Sequence, residues 1–211
     1  MAASVLAAIT MASLMTAPPA SAHARLVTSS PASGAIVTGV TTARVVFNES
    51  VSGDARALQV MTASGRVLSR PARVSGSVAT APVAPLTSGR YALVYRVRSA
   101  DGHTISNAIG FSVRLQDPPA ATTTLRLSGE RLTLSGSRVG TRTLRLSGDL
   151  RRAIGTVTCR LPGFPEPFQW ELRQGRATGM LPFAGAYALT VTAYASASST
   201  RTLSGVTRIR P

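Results

Sequence analysis

Short apolar runs of strand length, separated by turn residues, are the feature that most constrains how this chain can fold. The runs are rich in Val, Leu, Thr and Tyr, which favour β-strands, and the breaks contain Gly, Pro, Ser and Asp. In the first half, the candidate strands span residues 25–29, 42–47, 57–62, 67–69, 92–97 and 105–113. None of these stretches sustains the 3.6-residue apolar period of an amphipathic helix. The pattern predicts an all-β fold, an antiparallel sandwich or a Greek-key barrel.

A proline-rich segment at residues 116–121 divides the β-rich sequence in two. Its two prolines cannot donate hydrogen bonds to a sheet and favour an extended backbone, as in a linker. We therefore expect a first β-domain at 23–115, the linker at 116–121 and a second small β-domain at 122–211.

The second part of the chain contains a repeated motif. Thr-Leu-Arg-Leu-Ser-Gly at 124–129 recurs at 143–148, which indicates two similar hairpin strands, and two copies are too few for a solenoid. Further strands are expected at 187–194 and 200–209. This part contains no histidine and no evident catalytic cluster.

The first 22 residues have the organisation of a secretory signal peptide. Val5 to Met15 is an apolar run of the length of a signal h-region, and Ala20-Ser21-Ala22 has the small residues that signal peptidase requires. We expect cleavage between Ala22 and His23 and a periplasmic or secreted mature chain, although cleavage after Ala24 is also chemically allowed. No later segment reaches the ~20 apolar residues of a membrane span, so no transmembrane segment is expected in the mature chain.

The chain is strongly basic, with 23 basic against 8 acidic residues, a net charge of +15, and no lysine. Its arginines are scattered and often alternate with leucine, as in Leu125-Arg126-Leu127 and Leu144-Arg145-Leu146, which is typical of the solvated face of a strand. This distribution argues against nucleic-acid binding. It leaves open contact with an acidic partner such as anionic lipid or a cell-surface polymer.

Both histidines of the chain fall at places suited to metal binding. Cleavage after Ala22 would give His23 a free α-amine beside its ring Nδ1, and these two nitrogens can chelate one ion. Asp101 and His103 flank Gly102, so a carboxylate oxygen and an imidazole nitrogen can reach one point. Three nitrogens and one oxygen suit tetragonal Cu(II), whereas Zn(II) would favour a tetrahedral set with more imidazole or thiolate.

Three stretches of the first half, taken in order, carry a recognisable pattern. They are H-A-R-L-V followed by S-S-P-A-S-G within 23–34, V-V-F-N-E-S-V at 45–51, and G-R-Y at 89–91 continuing through S-A-D-G-H at 99–103 to F-S-V at 111–113. In these motifs, residues 23 to about 114 resemble the CopC family of periplasmic copper-binding (copper resistance) proteins. The resemblance covers the N-terminal domain only.

The resemblance implies an immunoglobulin-like Greek-key β-barrel or sandwich that binds one Cu(II) per mature chain. The metal ligands would be the amine and ring of His23, the ring of His103 and the carboxylate of Asp101, an arrangement called a histidine brace. Glu49 matches a family glutamate that lies near copper in some members, so it is a candidate secondary metal contact. Many members function beside a CopD-type inner-membrane copper transporter, which is the partner that the resemblance implies.

The sequence departs from the family pattern at several points. Tyr95 replaces a tryptophan and Ser50 replaces a proline, and the methionine-rich segment that binds Cu(I) in some members is missing. The resemblance does not explain the second domain. Cys159 is the only cysteine, which excludes an internal disulfide and leaves a buried strand residue, a Cu(I) ligand or an intermolecular disulfide as its role.

These observations favour an exported Cu(II)-binding protein that sequesters or delivers copper, and not an enzyme. Two alternatives come from other functional classes. One is a non-metal immunoglobulin-like surface or adhesion module, to which the second domain is better suited than the first. The other is a copper-dependent monooxygenase with an N-terminal histidine brace, which the small first domain and its carboxylate ligand disfavour.

Overall fold

The computed structural model describes residues 23–117, 122–196 and 199–211. The predicted signal peptide at 1–22 and residues 118–121 of the predicted linker lie outside the described residues. The regular secondary structure of the described residues is almost entirely β-strand, which confirms the predicted all-β class. No helix within these ranges is long and apolar enough to cross a membrane.

The strands of the first half lie mostly where the sequence predicts them. They are β1 (Leu26–Ser30), β2 (Ile36–Val37), β3 (Thr42–Phe47), β4 (Val51–Ser52), β5 (Leu58–Met61), β6 (Arg73–Ser75), β7 (Val78–Pro82), β8 (Gly89–Ser99) and β9 (Thr104–Val113). The predicted strand at 67–69 is wrong, because Val67 and Ser69 make only isolated bridges, to Met61 and Val83.

Two of the strands in the middle of this half, β6 and β7, were not predicted from the sequence. β7 is Val-Ala-Thr-Ala-Pro, and alanine and proline are both depleted in strands, so its composition gives little β signal. β7 forms because antiparallel pairing with β3 and β6 outweighs its low β-propensity. Ala79 and Ala81 of β7 are fully buried against the sandwich core.

The first half is a sandwich of two sheets around one apolar core. One sheet has the order β1-β3-β7-β6, and the facing sheet is built on β8 and β9, with β2, β4 and β5 paired at their sides. Val45 and Phe47 of the first sheet meet Leu58, Leu93 and Phe111 of the second in this core. Because β8 and β9 are the longest strands here, their connecting hairpin projects at one end of the sandwich.

The second half adds one further sheet, and four more strands continue the sheet of β8 and β9 around a second core. Its strands are β10 (Thr122–Leu127), β11 (Glu130–Ser135), β12 (Gly140–Leu146), β13 (Ile154–Arg160), β14 (Phe168–Leu172), β15 (Arg176–Leu181), β16 (Gly185–Ser196) and β17 (Ser199–Ile209). One sheet has the order β10-β11-β12-β15, and β17-β16-β13-β14 form the other side. The strands expected at 187–194 and 200–209 are confirmed.

The two copies of the repeated motif take different roles. The first copy ends β10 in a hairpin turn to β11, as predicted. The second copy ends β12, which forms a hairpin with the preceding strand β11, as predicted, but it leads into a 3-10 helix at Gly148–Arg152 and not into a second tight turn. Both copies pair antiparallel with β11, one on each side.

The two halves share one continuous sheet. β14 pairs in parallel with β9 at Phe168 and Ala108, and the amide of Ala108 donates to the carbonyl of Pro167 at 2.8 Å. The five consecutive buried residues Tyr91–Tyr95 of β8 reflect this arrangement, because one face of β8 packs in the first core and Ala92 and Val94 on the other face pack in the second. A strand buried on both faces loses the apolar–polar alternation of a half-exposed strand.

Candidate metal centre

The hairpin between β8 and β9 positions two of the predicted ligands. Arg98 and Thr104 form its last strand pair, and the Gly102 amide donates to the Ser99 carbonyl at 3.0 Å to close the turn. Gly102 has φ +86°, a left-handed conformation that glycine adopts without steric cost. The turn therefore holds Asp101 and His103 side by side.

Asp101 is held as an ionised carboxylate by its own turn. Its Oδ1 accepts hydrogen bonds from the Ser99 hydroxyl and from the His103 amide, the latter at 3.1 Å. The hydrogen bond from Ser99 is the largest cause that keeps the pKa of Asp101 well below its usual range; burial opposes it, and the His103 amide and the imidazoles of His23 and His103 add to it. Its other oxygen, Oδ2, faces both imidazole rings.

The start of β1 carries His23 to the same place. The amide of Asn48, just after β3, donates to the Arg25 carbonyl at 3.1 Å, and Leu26 pairs with Phe47 in the sheet. Ala24, between His23 and this anchor, is buried. The chain is thus fixed from Ala24 onward, and the His23 ring contacts Asp101 in the hairpin turn.

The three predicted ligands converge. The Nδ1 atom of His23 contacts Asp101 Oδ2, the Nδ1 atom of His103 lies 3.2 Å from the same oxygen, and the two ring centroids are 4.5 Å apart. One ligand atom from each residue lies within 4.8 Å of the others. The side chains of His23 and His103 are 58% and 65% exposed, so an ion can reach the cluster from solvent.

The donor set fits a borderline divalent ion. Two imidazole nitrogens and one carboxylate oxygen are ligands that Cu(II) and Zn(II) accept, and a free amine on His23 would add a third nitrogen. With His23 still joined to Ala22, its backbone nitrogen is an amide and does not serve as that ligand.

Glu49, the predicted secondary contact, does not lie in this cluster. Its Oε1 is buried and has no hydrogen-bond partner among the described residues. The segment that carries it still runs between the two parts of the centre, because Asn48 bonds to Arg25 near His23 and Val51 pairs with Ser99 near Asp101. Its role as a metal contact stays a prediction.

The sequence did not single out two features of the site. One is Ser99, whose hydroxyl holds Asp101; serine at the first position of a turn that contains Asp and Gly is the signal that could have found it. The other is a groove of about 550 Å³ beside the start of β1, lined by Arg25 and Asn48 on one side and by Gln169 and Trp170 on the other. It forms only where the two halves meet, so no local pattern predicts it.

The surroundings of Cys159 do not favour metal binding. It is fully buried in β13, and burial raises the pKa of its thiol well above the usual range. Because the thiolate is the form that binds metals and exchanges disulfides, this environment supports its interpretation as a buried strand residue.

Comparison with known proteins singles out the first half. The family model of the CopC domain matches residues 26–114, which include Asp101 and His103 and begin just after His23. The chain is also similar to the crystal structure of CopC from Methylosinus trichosporium OB3b, with 20% sequence identity and a TM-score of 0.40 over 46% of this chain and 98% of that one. No curated protein matches the chain. The predicted resemblance of the N-terminal domain to the CopC family is thereby confirmed over residues 26–114.

Proposed function

We propose that this protein is an exported Cu(II)-binding protein that sequesters or delivers copper and thereby serves copper resistance or homeostasis. The observation that supports it most is the convergence of His23, Asp101 and His103. These residues come from two places far apart in the sequence, and they are the only two histidines of the chain plus the carboxylate between them. The CopC domain match supports copper as the ion.

The full ligand set arises when the chain begins at His23. Signal cleavage after Ala22 would free an α-amine whose pKa is ordinarily about 7.7–8, so it loses its proton to a metal at little cost near neutral pH. The Nδ1 atom of His23 already faces the cluster, and it is the ring nitrogen that can close a chelate with that amine. His103 and Asp101 supply the remaining two positions, for one Cu(II) per chain.

The donor set suits storage or transfer of copper better than catalysis. Two nitrogens of His23, one of His103 and one oxygen of Asp101 fill the four equatorial positions of a tetragonal ion, and a catalytic metal site needs an open position for substrate. Glu49, whose Oε1 is buried without a hydrogen-bond partner among the described residues, remains the candidate secondary contact. The exposed imidazoles leave the ion accessible to an acceptor protein.

The cellular setting follows from the same proposal. A signal peptide at 1–22 would send the chain to the periplasm or outside the cell. A CopD-type inner-membrane copper transporter is the proposed partner, because the accessible centre suits direct transfer of an ion to a membrane protein. No nucleic acid is expected as a partner.

A pair of matched variants on the same hairpin tests the proposal. His103→Ala removes a ligand, whereas Thr104→Ala changes the adjacent exposed residue at the start of β9. In a Cu(II) competition titration on the chain that begins at His23, we expect His103→Ala to weaken binding at least about a hundredfold, since even residues that only support a ligand contribute about 10–100-fold. Thr104→Ala should bind like the unmodified chain.

Native mass spectrometry completes the test. The chain secreted from the full-length sequence should have the mass of residues 23–211 and should gain the mass of one copper ion. Equal Cu(II) affinity of the two hairpin variants would refute the proposed ligand set. A secreted chain that retains no copper would favour the non-metal surface module instead.

A further inference from the structure

The alternating leucine and arginine residues of the second half bring four arginines onto one exposed face. Arg126 lies on β10, Arg131 on β11, Arg145 on β12 and Arg176 on β15, the four neighbouring strands of one sheet. All four side chains are exposed, while each has a neighbour in its strand that is buried in the core: Leu127, Leu132, Leu144 and Ala177. These four residues are named the arginine face below.

The register of the sheet places the four charges in a continuous band. Arg126 is directly opposite Arg131, and Arg145 is directly opposite Arg176. Arg145 is also opposite Thr133, two residues from Arg131, so Arg131 and Arg145 are diagonal neighbours. Directly opposed side chains start about 5 Å apart and diagonal ones about 7–8 Å apart.

No carboxylate balances these charges within the described residues. None of the four arginines forms an ion pair there, and Glu130, which precedes Arg131, pairs instead with Arg201 at 3.3 Å. Like charges directly opposite each other destabilise a sheet, and this sheet carries two such pairs side by side. An anionic partner over the face would relieve both.

The surroundings of the arginine face indicate what kind of anion fits it. The first half covers the other end of this side of the sheet, where Asp117 accepts from the Thr141 amide at 2.6 Å, and the arginine end stays open. The other outward positions beside the arginines are threonines such as Thr124, Thr133 and Thr178. Binding of single-stranded nucleic acid relies on aromatic side chains for base stacking, and none lies among these positions.

We propose that the arginine face docks the protein onto the surface of an anionic phospholipid bilayer. A broad sheet face with a two-dimensional array of guanidinium groups matches a planar array of phosphates, and each guanidinium can bind a phosphate with two hydrogen bonds. Each arginine held near an anionic membrane raises binding about fivefold, and the effect declines within a Debye length. Metal binding by the first half is not required for this docking.

Vesicle co-sedimentation of the chain from His23 to Pro211 tests the proposal. Vesicles contain either phosphatidylcholine alone or a mixture with phosphatidylglycerol, each at low and at high salt. The face variant carries R126Q, R131Q, R145Q and R176Q. A control variant removes the same charge from exposed arginines of the first half that form no ion pair among the described residues: R44Q, R56Q, R66Q and R73Q.

The unmodified chain should bind the phosphatidylglycerol vesicles at low salt and dissociate from them at high salt. It should not bind vesicles of phosphatidylcholine alone. The face variant should lose at least about tenfold in binding, and the control variant should stay within about threefold of the unmodified chain. A variant with lysine at the same four positions keeps the charge and should still bind. Circular dichroism and Cu(II) affinity of the face variant should be unchanged, which separates this test from that of the proposed function.

Equal losses in the face and control variants would overturn the proposal, because net charge alone would then explain binding. The proposal would also be overturned if the unmodified chain bound vesicles with and without phosphatidylglycerol equally. If soluble heparin or polyphosphate bound through the four arginines while vesicles did not, the partner would be an acidic polymer and not a membrane.

Discussion

At the scale of single residues, the candidate metal centre depends on a carboxylate, Asp101, that its own turn holds in the ionised form. The Ser99 hydroxyl bonds to Asp101 and also lies 3.0 Å from the His103 carbonyl, so one buried side chain supports both ligands of the turn. This support keeps the pKa of Asp101 low, and the carboxylate remains ionised under mildly acidic conditions. Asp101 therefore needs to lose no proton before it can bind an ion.

Replacing Ser99 with alanine should weaken the centre without removing a ligand. We expect Ser99→Ala to raise the pKa of Asp101 toward its usual range and to lower Cu(II) affinity about tenfold, the lower end of the effect of residues that support metal ligands. Carbon-13 NMR of the Asp101 carboxyl and a competition titration measure the two effects. Ser112→Ala is the matched control, because Ser112 is equally buried on β9 and its hydroxyl has no partner among the described residues. Equal affinities for the two variants would show that Ser99 does not support the site.

Because Tyr95 is buried, we expect the folded protein to lose stability at alkaline pH. Burial raises the pKa of Tyr95 to about 12 from 10.0, and a hydrogen bond with Asn107 partly offsets the shift. The folded state therefore holds this proton more tightly than the unfolded state, so the contribution is complete below pH 10 and is lost as the pH rises toward 12. Urea unfolding should show the unmodified chain losing up to about 2 kcal/mol more than Tyr95→Phe over this interval. Parallel pH profiles of the two proteins would contradict the assignment.

At the residue scale the sequence predicted which side chains cluster and did not reveal what holds them in place. Two histidines and an Asp-Gly-His turn were enough to predict His23, Asp101 and His103 as one cluster, because metal chemistry restricts the residue types so strongly. The hydrogen bonds of Ser99 and the buried oxygen of Glu49 depend on exact side-chain placement, which no spacing rule provides.

At the scale of elements, β8 and β9 connect the candidate metal centre to the rest of the molecule. Their hairpin carries two of the proposed ligands at one end, and their outward faces pack against the second half. Gly110 of β9 permits this contact, since a Cβ atom there would lie 2.9 Å from Pro182 Cδ and 3.0 Å from the Met180 carbonyl oxygen. Glycine is thus required by close approach of the two halves.

Valine at position 110 should push the halves apart. We expect Gly110→Val to destabilise the protein by about 1–3 kcal/mol, because the contact includes backbone atoms that cannot turn aside. Gly39→Val is the control: Gly39 is exposed and a Cβ there meets nothing within 4 Å, so a change below about 0.5 kcal/mol is expected. Chemical unfolding measures both variants. A Gly110→Val protein as stable as the control would show that the halves do not pack tightly at this point.

The elements themselves were predictable where composition and pattern agreed. β3, β9 and β16 contain many β-branched and aromatic residues, and they lie where they were expected. β7 was missed because its alanines carry no β signal, and the 67–69 segment was assigned wrongly because three apolar or small residues look like a strand without having a partner strand. Pairing between distant segments decides such cases, and a single sequence does not reveal it.

At the scale of the whole molecule, the joint between the halves is polar at its rim and apolar inside. Glu166 accepts from Arg96 at 3.1 Å and from Ser106 at 2.7 Å, both residues of the first half. Beneath this rim, Ala92 and Val94 of β8 pack in the core of the second half. Separating the halves would expose this apolar surface to water, which is unfavourable.

The protein should therefore unfold as one unit. Differential scanning calorimetry of the chain from His23 onward should show a single transition whose calorimetric and van't Hoff enthalpies agree. Two resolved transitions would contradict the shared core. The proline-rich sequence before Thr122 had suggested two separate β-domains, and the shared sheet could not have been predicted because it rests on one parallel pair between residues 60 positions apart.

The central claim is that the metal centre is completed by a free α-amine at His23. Adding one alanine before His23 keeps every side chain of the centre but turns the amine into an amide. A Cu(II) competition titration should compare this extended chain with the chain that begins at His23, with an alanine added after Pro211 as the control. We expect the extended chain to bind at least about a hundredfold more weakly and the control to bind normally. Equal Cu(II) affinity for all three chains would contradict the claim.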